Sequence, residues 1–160
     1  MNRFMHAAVG AASLVAVAGC TKPGPAAVDT AADQAAVSAI GEAWFKGYDA
    51  GDTEGVVALY AEDGVLSPPG APSARGRAAI REFLTKDIAG TIEGGYQLTR
   101  GSAIEIGVSG DLAWDWDTFT VTDKSGATVD TGKYVTLYAK QGGKWVIIRD
   151  IWSSDAAPPS

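Results

Sequence analysis

LAWDWDTFTVTDKSGATVDTGKYVTLYAKQGGKWVIIRDIWS, residues 112–153, alternates large or apolar side chains with small or polar ones over three stretches. A period of two marks strands that face two environments. The turn-forming runs Asp123-Lys124-Ser125-Gly126 and Gln141-Gly142-Gly143 divide the stretch into strands at Leu112–Thr122, Thr128–Lys140 and Lys144–Ser153, joined as an antiparallel meander. Upstream, Ser109-Gly110-Asp111 connects this meander to a further strand over Tyr96–Val108. Before Gly94-Gly95 the period changes. Val37, Ile40, Trp44 and Tyr48 recur at helical spacing, which predicts a helix over about Asp33–Ala50. Asp52 is a good N-cap for a short second helix carrying Val56, Leu59 and Tyr60, which Asp63-Gly64 stops. Val65-Leu66-Ser67 is a short extended piece broken by Pro68-Pro69-Gly70. A third helix over Arg77–Ile88 sets Ile80, Phe83, Leu84 and Ile88 on one side. Three helices followed by an antiparallel meander predict an α+β domain.

Outward from the domain, the N-terminus reads as a leader. One positive charge, Arg3, precedes a twelve-residue apolar run over Ala7–Ala18. That is too short for a spanning helix of roughly 20 residues, and its order is that of a secretory signal. The ending Val17-Ala18-Gly19-Cys20 resembles a bacterial lipobox, which implies removal of residues 1–19 and acylation of Cys20. Several acyl chains hold a protein stably at a membrane. Thr21, in place of an acid, favours the periplasmic face of the outer membrane. Residues 20–33 are expected to form a Pro/Gly/Ala-rich tether, 34–155 the domain and 156–160 a tail.

Loss of residues 1–19 removes Arg3, the single His6 and both methionines, and makes the chain's formal charge of −6 one unit more negative. No basic stripe is left to neutralise phosphates, so nucleic acid is excluded as a partner. Without histidine, Ser-His-Asp and Cys-His machinery is excluded as well. With its only cysteine acylated, the domain has no disulfide and relies on packing.

A family resemblance rests on four motifs in order: the Gly-Asp between the first helices, Tyr60-Ala-Glu-Asp-Gly-Val65, Gly76-Arg-Ala-Ala-Ile80, and the terminal Gly142-Gly-Lys-Trp145 with Asp150-Ile-Trp152. Over about Ala35–Asp155 the chain resembles the SnoaL-like and ketosteroid-isomerase-like domains of the nuclear transport factor 2-like superfamily. The resemblance implies a cystatin-like cone, in which a strongly curved sheet wraps the helices and leaves a pocket at its open end. It also implies three positions for the isomerase's tyrosine and two acids. An ungapped alignment puts them on Trp44, Pro68 and Val135, an N–H donor and two groups without proton chemistry. Steroid isomerisation is therefore not expected.

Under that alignment Trp114, Trp116, Thr118 and Thr120 point into the cone, as do Lys133, Val135 and Leu137 and then Ile148, Asp150 and Trp152. Asp115, Asp117 and Arg149 point out, with Tyr134, Tyr138 and Phe119 on an outer face where a twin could pair. Trp44, Tyr48, Tyr60 and Ser67 complete the expected pocket. The tryptophans serve either ligand stacking or core and dimer packing.

Asp150 is the candidate catalytic residue, because desolvation beside Trp152 would raise its pKa towards the range useful to a general base. Its alternative is a structural acceptor bonded to Tyr48, Trp44 or a helix end, or paired with Lys133. Asp115-x-Asp117 without an oxygen-rich loop is a poor calcium site, so no metal or cofactor is expected. The leading expectation is a lipid-anchored domain that binds a small apolar or aromatic molecule. The alternatives are an isomerase, cyclase or hydrolase using Asp150, and a dimerising module with a vestigial pocket.

Overall fold

The computed structural model describes residues 30–102 and 104–156. The leader, Cys20, the tether up to residue 29 and tail residues 157–160 lie outside the described residues. The α+β expectation holds, with helices packed against one curved sheet.

The first helix, α1 (Thr30–Asp49), begins inside the expected tether. Asp33 sits in its first turn, where a carboxylate suits the helix dipole. There it accepts hydrogen bonds from Lys140 Nζ (2.6 Å) and Trp145 Nε1 (2.8 Å), which ties the helix start to the sheet. The second helix, α2 (Thr53–Ala58), is capped by Asp52, which accepts from the Gly55 N–H at 2.9 Å. Tyr60 does not continue it. It opens β1 (Tyr60–Ser67), a strand longer than the expected 65–67 piece. A two-residue β2 (Ala74–Arg75) leads into α3 (Gly76–Gly94). Gly95 ends α3 at φ +70°, a left-handed cap that glycine adopts without strain.

The strand expected over 96–108 is two, β3 (Gln97–Arg100) and β4 (Glu105–Ser109). Both pair with the same edge of β5 (Leu112–Thr122), β3 along its second half and β4 along its first. β6 (Thr128–Gln141) and β7 (Lys144–Ser154) complete the meander, and β7 pairs in parallel with β1. The sheet order is β2-β1-β7-β6-β5-β3, with β4 beside β5.

The core lies between the helices and the concave face, around Val37, Val56, Val57, Leu66, Ile80, Leu84, Ile88 and Ile147. A bulge shifts the β6–β7 register. Leu137 faces Arg149 while Tyr138 faces Ile147, which leaves Ile148 as the extra residue. Ile147 and Asp150 are consequently both buried, although three positions apart.

Candidate functional site

The concave face holds a cavity of about 230 Å³ between α1, α3 and strands β3, β5, β6 and β7. Trp44, Phe45 and Tyr48 reach it from α1, Leu84 and Asp87 from α3, and Leu98 from β3. Phe119, Asp130, Tyr134, Thr136, Tyr138, Ile147, Asp150 and Trp152 reach it from the meander, and Pro69 from the turn after β1. Helical spacing puts Trp44 and Tyr48 one turn apart, so their rings stack at 5.1 Å between centroids and 16° between planes.

Asp150 lies in the wall at 8% exposure. The Tyr60 hydroxyl donates to its Oδ2 at 2.6 Å, and the Trp44 indole N–H donates to the Tyr60 oxygen at 2.9 Å. A long 3.4 Å contact from Thr136 Oγ1 reaches its Oδ1. Burial pushes the Asp150 carboxyl up to about 6, the Tyr60 bond pulls it back, and the negative charge of Asp115 raises it again. Burial drives the Tyr60 hydroxyl far above the phenol range, so it remains a donor. A second tyrosine–aspartate pair stands at the α1–α3 side. Tyr48 donates to Asp87 Oδ2 at 2.6 Å, with Thr91 Oγ1 at 2.9 Å.

Behind Tyr134 lies a buried ionic cluster that alternation alone does not reveal. Arg100, at the end of β3, donates from Nη2 to Asp115 Oδ2 (3.0 Å) and from Nε to the Tyr134 hydroxyl (2.7 Å), with Asp117 Oδ2 at 3.7 Å. Both aspartate side chains are fully buried. Burial raises the Asp115 carboxyl and the guanidinium opposes that rise. Gly41 makes room for the cluster, since a Cβ there would stand 2.7 Å from Arg100 Nη2.

The structure reverses the expected parity of β5 and β6. Trp114 is 43% exposed, Trp116, Thr118 and Thr120 share its convex face, and Asp115, Asp117 and Phe119 are buried. On β6, Tyr134, Thr136 and Tyr138 face in, while Lys133, Val135 and Leu137 face out. Phe119, Tyr134 and Tyr138 thus line the pocket instead of an outer face. Asp115 and Asp117 form an internal ion cluster instead of a solvated face. The reason is Arg100: its counter-charge, supplied from a different strand, makes the carboxylate set of β5 the buried one.

Lys133 pairs with Asp155 on the outside and cannot meet Asp150. Ser67 exchanges a hydrogen bond with Ser73 at 2.9 Å and does not line the cavity. Trp44, Tyr48 and Trp152 line it, and Tyr60 reaches it through Asp150. Asp87, Phe45 and Thr136 were outside the sequence reading. The lysine in the Lys133-Val135-Leu137 set was the available sign that this set belongs outside.

Among the described residues no group of three or more metal-ligating side chains converges. The arrangement offers an aromatic wall and one buried acid that changes charge near neutrality. That acid can accept a ligand's hydrogen bond or take a proton from it.

Residues 42–148 match the family described as the SnoaL-like domain. No curated protein sequence matches the chain. Solved structures with the same fold include an NTF2-like protein of unknown function from Pseudomonas putida, 21% identical with TM-score 0.71, covering 78% of this chain and 87% of that one. An NTF2-like protein with a cystatin-like fold from Novosphingobium aromaticivorans is 22% identical at TM-score 0.69, covering 75% and 80%. A ketosteroid isomerase-like protein from Erwinia carotovora atroseptica is 23% identical at TM-score 0.61, covering 78% and 98%. At these identities the likeness is one of fold.

Proposed function

Because the chain belongs to the SnoaL-like domain family, whose fold hosts many functions, we propose from the site itself that it binds a small, largely apolar or aromatic molecule in the cone. The observation that carries this reading is the composition of the wall. Among the described residues seven aromatic side chains surround a cavity in which Asp150, held by Tyr60, is the most deeply buried carboxylate. Such a site gains affinity from apolar contact and orientation from a few polar atoms. The raised pKa of Asp150 favours a second reading, an enzyme in which this carboxylate acts as general base. It ranks second because the Tyr60 donor already occupies one oxygen and lowers its basicity. Steroid isomerisation is not part of either reading, since Trp44 stands in the wall and Val135 faces away from it.

The proposal includes acylation of Cys20, residence on the periplasmic side of the outer membrane, and self-association. The exposed convex residues Leu112, Trp114, Leu137 and Ile151 form the self-association surface. Arg149 and Glu105 lie on the same face at its two sides, so one patch carries both halves of a charge pair.

Native mass spectrometry of the protein isolated from its own cell envelope tests the pocket and the anchor together. The expected spectrum carries a small-molecule adduct that the cavity-filling variant Leu98→Trp loses, on a chain that starts at an acylated Cys20. Identical spectra for the two proteins would overturn the pocket, and an unmodified N-terminus would overturn the anchor.

A further inference from the structure

Building on the pocket-binding reading, we infer that the ligand is cationic, an amine or quaternary ammonium on an apolar or aromatic body. The cavity is the site, and its side chains set the sign of charge it accepts. Among the described residues three carboxylates lie in the wall, Asp87, Asp130 and Asp150, and no lysine, arginine or histidine lines it. Each of the three takes a hydroxyl donor, from Tyr48, Ser154 and Tyr60 respectively, which satisfies part of its hydrogen-bonding capacity and none of its charge.

Arg100 lies behind the wall, against Gly41 and Tyr134. It is already shared between Asp115 and Asp117, so the cluster as a whole is negative. Lys133 and Lys140 are held by Asp155 and Asp33. An anionic ligand would therefore enter a desolvated space with carboxylates in the wall and no counter-ion, the costliest arrangement for a buried charge. An ammonium finds the opposite. It meets carboxylate oxygens and a wall that includes the rings of Trp44, Tyr48 and Trp152; ring quadrupoles attract cations most strongly where water is excluded.

The test is calorimetric titration of the full chain at neutral pH with three probes of one shape: 2-phenylethylamine, 2-phenylethanol and 3-phenylpropanoate. The amine is expected to bind about tenfold or more tightly than the alcohol, and the carboxylate not to bind. Asp150→Asn and, separately, the half-buried Asp87→Asn are expected to shrink the preference for the amine over the alcohol. The second variant keeps the test decisive if the first does not fold. Alcohol binding equal to or tighter than amine binding would overturn the cationic ligand and leave the pocket reading standing. Failure of all three probes would overturn it too, with the pocket reading then judged by the native adduct alone. An amine preference untouched in both variants would show that the wall carboxylates do not create it.

Discussion

The two faces of the β5–β6–β7 sheet do not divide simply into apolar inside and polar outside. Its concave face buries Asp115, Asp117, Thr136 and Asp150, while its convex face leaves Leu112, Trp114, Leu137 and Ile151 between 40% and 57% exposed. Hydrophobicity by itself did not choose the inside. The concave set wins because its three carboxylates have internal partners: Arg100 for the two β5 acids, and Tyr60 for Asp150. The concave face in turn holds two kinds of acid. Asp115 and Asp117 face a cation and act in the architecture. Asp150 is bonded to the neutral hydroxyls of Tyr60 and Thr136 and, among the described residues, is paired with no cation.

The largest expected effect breaks the first of these arrangements. Arg100→Met leaves two buried carboxylates without a counter-charge and is expected to cost about 3–5 kcal/mol in urea unfolding. Adding Asp115→Asn and Asp117→Asn should restore most of that loss. A cost under about 1 kcal/mol for the single variant would show that the cluster is not what selects the concave face.

Next in size is the pH dependence of Asp150. Its folded-state pKa lies above the unfolded value of 3.8, at about 6, so the folded protein holds that proton more tightly. The stabilisation from this proton is therefore present at low pH and lost as pH rises from about 4 through about 6. At about 1.4 kcal/mol for each factor of ten, the loss is on the order of 3 kcal/mol. Asp150→Asn should remove this slope while the other carboxylates keep theirs. The quantity to compare is wild type minus variant in denaturant unfolding across that range. Parallel curves would mean that Asp150 has a counter-charge after all and belongs with Asp115 and Asp117.

The smallest expected change in stability is on the convex face. Trp114 is 43% exposed and the rest of its ring is covered, in part by Gly107, so Trp114→Ser should cost the monomer about 1–2 kcal/mol of unfolding free energy. Its readout is sedimentation velocity, where self-association is expected to weaken. Wild type that stays monomeric at high concentration, or a variant that associates equally well, would remove the convex face as a contact surface.

Much of the architecture was legible along the chain. Helical spacing at Val37, Ile40, Trp44 and Tyr48, the Asp52 cap and the turn residues after β5 and β6 are local signals. Local backbone preferences then reproduce them in the fold. The boundaries that moved did so for non-local reasons. α1 starts at Thr30 because Asp33 is bonded to Lys140 and Trp145, more than 100 residues away. Tyr60 leaves the helix because a strand beside β7 was open to it, pairing it with Ile147.

The candidate site divides along the same line. By itself the sequence determined that three strands alternate, that Asp150 stands beside Trp152 with a strand's spacing, and that Trp44 and Tyr48 share a helix face. A period of two defines two sets of side chains and is symmetric between them, so it contains no statement of which set is buried. That choice came from tertiary structure. Arg100 arrives from β3 to neutralise the acids of β5, and the bulge at Ile148 lets Ile147 and Asp150 point the same way. The polar partner of Asp150 comes from β1, 90 residues earlier. Burial of a charge depends on what stands opposite it in space, and only the folded chain brings those groups together.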